Sequence, residues 1–407
     1  MRSAAQRPDA ASAAAQPETG PDAAELAALA ETTRRFVAAH VLPHQEEWEA
    51  RGVLPRALHQ HAAHAGLLGA SFPEDVGGGG GGLRASLTIN EAAHEAGMSG
   101  GTFASLFTAG IAVPHLIAAG SRELIDAYVR PTLAGELIGS LAITEPSGGS
   151  DVGGLRTRAE RDGDAYVISG EKTFITSGTR ADFVVTAART GGPGAKGVSL
   201  LVVPADSPGF SVAKKLAKMG WHASDTAELH YDAVRVPADH LIGAENAGFA
   251  YISQAFVTER VGLAAQAYSG AQRALDLTVQ WCRDRVTFGD PLIARPTVQA
   301  TLAQMTARID AARVYTRVLA ARYDDQQAAP EPQGGLDLVA TACFAKNMAV
   351  EAAEWCASQA VQLFGGMGYM AESEVERIYR DTRILGIGGG TTEILTALAA
   401  KRMGYTA

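Results

Sequence analysis

The chain has 407 residues, 47% of them apolar, and a formal net charge of −9. That length suggests two or three domains, and the acidic balance argues against a nucleic-acid-binding surface, which would show a basic stripe. Apolar residues are plentiful, yet no uninterrupted run approaches the ~20 that a membrane-spanning helix needs.

Residues 1–23 read as a disordered tail, rich in Ala, Pro and Gln and without hydrophobic periodicity. Asp9, Glu18 and Asp22 argue against a transit peptide, and the apolar core of a secretion signal is missing. Cys282, Cys343 and Cys356 lack paired metal-site spacing and read as buried thiols of a cytoplasmic protein, with no metal site expected. Asp22 is a natural N-cap for a helix carrying Leu26, Leu29, Thr33, Phe36, Val37 and Val41 at helical spacing, which Pro43 ends. A second helix is predicted from about Pro55 to Ala65. Six consecutive glycines, Gly77 to Gly82, contain G-x-G-x-x-G only trivially, and no strand leads into them, so they read as a flexible loop rather than a dinucleotide site. Helical signals over Leu83–Gly97 and onward to Gly135 make residues 24–139 an all-helical domain.

The pattern changes at Ser140. Ala165–Ile168, Phe183–Ala187, Val198–Val203 and Glu228–Val236 are short apolar runs between Gly- and Asp-rich turns, so residues 140–243 read as an antiparallel β domain. Helical periodicity returns after Gly243 and fills 244–407, broken near Phe288–Pro296 and by a loop around Ala328–Gly335.

Five motifs punctuate this plan. Leu141 to Asp151 (Leu-Ala-Ile-Thr-Glu-Pro-Ser-Gly-Gly-Ser-Asp) turns from an apolar run into a loop whose glycines let backbone N–H groups approach a ligand. Taken alone it is an ordinary surface turn. Gly170 to Gly178 follows with an aromatic and further hydroxyls, then Arg285-Val286-Thr287-Phe288-Gly289, Gln362 to Tyr369, and Arg380-Asp381 leading to Gly389-Gly390-Thr391-Thr392-Glu393. Together and in this order they resemble the acyl-CoA dehydrogenase family, from about residue 24 to the C-terminus.

The resemblance implies an α+β protein with an N-terminal helical domain, a middle antiparallel β domain and a C-terminal four-helix bundle. It also implies non-covalent FAD. Leu141, Ile143, Thr144 and Ser150 would line the isoalloxazine with Phe174, Ile175 and Thr176, Phe174 standing where the family commonly has Trp. Arg285, Thr287 and Phe288 would reach the FAD of a neighbouring subunit, with Gln299, Gln362, Gly365 and Gly366 on its adenosine side, and Thr391 and Glu393 would complete the cofactor contacts. An acyl-CoA substrate, an electron-transfer flavoprotein and a homo-oligomer, a tetramer by analogy, are the implied partners. Ser150, Arg260, Gly389 and Gly390 would meet the substrate.

The family's chemistry removes the α-proton of a thioester to a base while the β-hydrogen leaves as hydride to flavin N5. Many members carry the catalytic Glu immediately before the Gly-Thr of the last motif. This chain has Gly389 there. The protein could then be catalytically silent, Glu393 could substitute, or another carboxylate could act. Glu259 shares a helical stripe with Ile252, Phe256 and Leu263, so an acid interrupts an apolar face, where it is costly without a task or partner. Thr258-Glu259-Arg260 resembles the isovaleryl-CoA and long-chain branches, in which this helix supplies the base. Glycine at 389 keeps its backbone N–H as a donor to the thioester carbonyl. Losing a side chain there should also make room for branched or longer acyl groups. A carrier-protein thioester stays open as an alternative substrate.

Overall fold

The structure is a computed structural model and describes residues 20–328 and 337–405. The tail proposed for 1–23 lies almost wholly outside the described residues, as does most of the loop expected at Ala328–Gly335. Asp22 does cap the first helix. Its carboxylate accepts the Glu25 N–H at 2.8 Å, while Glu25 accepts the Asp22 N–H at 2.9 Å, a reciprocal capping box.

The N-terminal helices are α1 (Ala23–Phe36), α2 (Gln45–Arg51), α3 (Arg56–His64), α4 (Gly82–Glu95), α5 (Gly100–Leu106), α6 (Ala109–Ala112), α7 (Pro114–Ala119), α8 (Arg122–Leu124) and α9 (Arg130–Leu133). The chain leaves α1 through a π-turn at Val37–Val41. Helix α2 was not expected from the sequence between Pro43 and Pro55. The glycine run is an ordered turn rather than a flexible loop. Gly79, Gly80 and Gly81 donate to Gly69, Phe72 and Ala70, and a Cβ at Gly78 would overlap the Phe72 carbonyl. Close backbone approach explains the glycines.

The β layer holds β1 (Gly139–Ala142), β2 (Arg158–Asp162), β3 (Ala165–Thr176), β4 (Phe183–Arg189), β5 (Val198–Pro204), β6 (Phe210–Lys215) and β7 (Thr226–Pro237). The order is β1-β4-β2-β3-β7-β6, with β5 on the other partner edge of β4. Pairings β2–β3, β3–β7, β4–β5 and β6–β7 are antiparallel as expected, but β1 and the start of β2 run parallel to β4. Strands β2 and β6 escape sequence reading because they are short, charged and largely exposed.

After the sheet come α10 (Gly248–Asp284), a hairpin of β8 (Val286–Thr287) and β9 (Asp290–Pro291), α11 (Pro296–Ala328), α12 (Leu338–Phe364), α13 (Glu374–Thr382) and α14 (Thr392–Arg402). One core joins α4, α10, α11 and α12 through Leu87, Val261, Tyr268, Met305, Ile309 and Val350. A second joins the sheet to the start of α10. Ile252 and Phe256 pack there against the cluster that Leu141 and Ile143 also touch. That shared core sets the first turns of α10, which lead to Glu259, beside the exit of β1. Among the described residues no single helix is long and apolar enough to cross a membrane.

Candidate active site

The first half of the site is built where β1 leaves the sheet beside the end of β3. The Thr173 N–H donates to the Thr144 carbonyl at 2.9 Å, and Ser140 Oγ donates to the Thr176 carbonyl at 2.7 Å. A register shift in the β3–β7 ladder between Lys172 and Ile175 marks a bulge. Phe174 sits in it at φ +60° with 68% of its surface exposed. A bulge re-aims a side chain out of the ladder, and a non-glycine residue at positive φ persists only when its surroundings hold it there. The Thr144, Ser150 and Thr176 hydroxyls donate to no described residue. An exposed ring beside free hydroxyls fits a flat, polar-edged heterocycle such as the isoalloxazine. Ile175 is different: its side chain is buried in the sheet core, so only its backbone can face a ligand.

Lys172 and Glu145 fix this loop from behind. Lys172 is fully buried, and its Nζ donates to the Ile143 carbonyl and to Glu145 Oε1, each at 2.9 Å. Glu145 also accepts the Arg156 and Thr157 N–H groups at 2.6 and 2.8 Å. Burial pulls the Lys172 ammonium down to about 8, opposed by Glu145. Burial would raise Glu145, but Lys172 and the two N–H groups hold it below its usual value. The pair is therefore ionised at neutral pH.

The second half joins α10 to the loop before α14. Glu259 is half-buried and forms no hydrogen bond or salt bridge with a described residue. Burial pushes its carboxyl up, against the pull of Arg260 and Lys346. Gly389 has φ +64°, and a Cβ built there would lie 3.3 Å from Glu259 Oε1 and overlap Leu263 Cδ1. The carboxyl thus stands beside the position that lacks an acid. The room expected at 389 is absent, because Leu263 and Glu259 already fill it. Arg260 is buried, its guanidinium 5.4 Å from the Phe256 ring centre, and its Nε has no partner. Thr258 only bonds its own helix, Oγ1 to the Ala255 carbonyl at 2.9 Å. Glu393 is exposed in the first turn of α14, where backbone N–H and the Thr391 hydroxyl hold it low. Thr391 caps that helix, accepting the Ile394 N–H at 3.3 Å. The two carboxyls are thus shifted in opposite directions, Glu259 up and Glu393 down.

Sequence reading missed Lys346. Fully buried in α12, it donates from Nζ to the Gly388 and Gly390 carbonyls, each at 2.6 Å. A lone cation in the small apolar stripe of Ala342, Ala345, Ala349 and Val350 was the available signal. The Arg380-Asp381 motif anchors the approach to this loop. Asp381 accepts the Trp221 N–H at 2.6 Å, and Arg380 donates to the Met219 carbonyl at 3.2 Å.

The remaining predicted cofactor residues gather at the far end of α10. Arg285 lies 5.9 Å from the Trp281 ring centre, Trp281 stacks on Phe364 at 4.7 Å, and Trp281 Nε1 donates to the Leu363 carbonyl at 3.2 Å. That brings Arg285 to the turn holding exposed Gln362, Gly365 and Gly366. Arg295 braces Thr287 and Phe288 from one side. Phe288 is 97% exposed at φ +54°. Gln299 donates to the Ile293 carbonyl at 3.0 Å. Among the described residues no cluster of three or more His, Cys, Asp or Glu could hold a metal.

Three family models match in order: acyl-CoA dehydrogenase N-terminal domain over 23–136, middle domain over 140–234 and C-terminal domain over 246–404. The long-chain specific acyl-CoA dehydrogenase of Rattus norvegicus mitochondria is 36% identical over 376 residues, covering 92% of this chain and 85% of its own. A solved structure from Mycobacterium smegmatis, provisionally assigned as an acyl-CoA dehydrogenase, is 65% identical with a TM-score of 0.91, covering 95% of this chain and 99% of its own. A glutaryl-CoA dehydrogenase from Mycobacterium smegmatis, solved with FADH2, is 26% identical at a TM-score of 0.84, covering 95% of this chain and 96% of its own.

Proposed function

This chain belongs to the acyl-CoA dehydrogenase family of FAD-dependent oxidoreductases, and on that premise we propose that Glu259 is its catalytic base. The single observation that carries the reading is the unpartnered Glu259 carboxyl beside Gly389. A base of this family must reach the substrate α-carbon, and the carboxyl occupies the neighbourhood of the missing acid. Its raised pKa strengthens it as a proton acceptor.

Bound FAD supplies the acceptor for the β-hydrogen and its electron pair. Leu141, Ile143, Thr144, Ser150, Phe174, the Ile175 backbone and Thr176 would hold its ring, with Thr391 and Glu393 nearby. The Gly389 N–H donates to the thioester carbonyl oxygen, where charge grows as the α-proton moves to Glu259. Gly390 shapes the same loop, and Arg260, whose buried Nε has no partner, would meet the ligand. Co-occurrence of Glu259 with Gly389 supports the isovaleryl and long-chain branch, and with it a branched or medium-to-long acyl-CoA. The exposed Arg285–Phe288 hairpin supports a homo-oligomer, a tetramer, whose subunits share cofactor contacts through Arg285, Thr287, Phe288, Gln299, Gln362, Gly365 and Gly366. An electron-transfer flavoprotein would reoxidise the enzyme in the cytoplasm.

Anaerobic mixing with a panel of acyl-CoAs, followed by flavin absorbance, tests the assignment. Glu259→Gln should retain FAD and bleach at least 100-fold more slowly, as loss of a general base predicts. Bleaching at the wild-type rate removes Glu259 from the role. Bleaching by carrier-protein thioesters alone would move the substrate class.

A further inference from the structure

We infer that Lys346 is a positioning residue for thioester activation, aiming and polarising the Gly389 N–H that meets the substrate carbonyl. The inference rests on the reading of Gly389 as that donor. Lys346 Nζ holds two carbonyl oxygens, those of Gly388 and Gly390, at 2.6 Å each. The Gly388 C=O and the Gly389 N–H belong to one planar trans peptide and point in opposite directions. Holding that oxygen toward α12 turns the N–H away from α12. The second bond fixes the next-but-one peptide in the same way. Without such a grip, Gly388, Gly389 and Gly390 in succession would leave these peptide planes free to rotate, because glycine populates both signs of φ.

The charge adds something that a neutral donor would not. An ammonium on a peptide oxygen draws electron density from the amide and makes its N–H a stronger donor. Lys346 forms no salt bridge with a described carboxylate. The groups that act on its charge are Glu259, Arg260 and Cys343. Burial brings its ammonium down to about 8, with Glu259 pulling it back up, so the cation persists at neutral pH. An apolar residue would suit the Ala-lined stripe of α12 better if packing were the only demand.

The test uses FAD-loaded enzyme and the 3-thia analogue of whichever acyl-CoA bleaches the flavin fastest. This analogue keeps an acidic α-proton but has no β-hydrogen, so the reaction stops at the enolate. An enolate beside oxidised flavin absorbs at long wavelength, and a pH titration of that band gives the apparent pKa of the bound α-proton. Lys346→Gln keeps N–H donors for the carbonyls without charge, and Lys346→Met removes both. The expected result is an apparent pKa raised about one unit in Lys346→Gln, roughly tenfold less enolate at a fixed pH, and raised further in Lys346→Met, with FAD content unchanged. An unshifted titration, or loss of FAD from Lys346→Gln, assigns Lys346 a structural role and overturns the inference. If wild-type enzyme is bleached by no acyl-CoA and forms no enolate band, the reading of the site fails instead.

Discussion

Gly389→Ala should disrupt the site through sterics alone, without removing a functional group. Gly389 sits at φ +64°, where an L-residue costs about 1–2 kcal/mol. The new Cβ would also overlap Leu263 Cδ1, far inside the ~3.5–4.0 Å of a carbon–carbon contact. Forcing such a group into a filled space costs roughly a further 1–3 kcal/mol. The sum is about 2–5 kcal/mol, its steric part falling as far as the Leu263 side chain turns aside. Denaturation of the FAD-loaded protein measures the loss. In a cycle with Leu263→Ala, the clash should appear as a coupling of at least about 1 kcal/mol, because the two changes share one space. A Gly389→Ala protein as stable as wild type, or additive substitutions, would refute the packing argument.

Lys172→Met should be severely destabilising, by about 3–5 kcal/mol, because it strands the buried Glu145 carboxylate. Adding Glu145→Gln should recover part of that loss in thermal melts. His59, His94 and His115 are buried, and burial lowers them from 6.5 to about 3, 4 and 4. The unfolded chain therefore binds more protons between those values. Their stabilisation is whole above pH 6.5 and is lost as pH falls toward 4, on the order of 3 kcal/mol for each histidine. Denaturation midpoints measured from pH 7 to pH 4 should fall steeply, and a flat profile would contradict it.

Local signals carried much of the fold. The Asp22 cap, the apolar runs that became β3, β4, β5 and β7, and the stripe holding Glu259 are all short-range patterns. The parallel pairing of β1 with β4 was not legible, because Gly139 meets Phe183 through a connection no periodicity records. Lys172 and Lys346 were missed for a related reason. Each serves backbone carbonyls, and a carbonyl has no letter of its own in the sequence. Glycine at 389 was seen as an absence, but its filling by Leu263 needed three dimensions. The glycine run at 77–82 looked loose because glycine permits freedom, whereas here it permits close approach.

Glu259, Arg260 and Lys346 form an interior trio with one unit of excess positive charge when all three are ionised. With Glu259 as the base proposed above, passage of the α-proton to its carboxylate would leave the negative charge on the thioester oxygen. The total charge would stay constant, and Arg260 and Lys346 would see an anion relocate rather than appear. A transfer that conserves charge has little to gain from mobile counterions. Its rate should therefore respond weakly to added salt, in contrast to the docking of an anionic ligand onto an acidic surface.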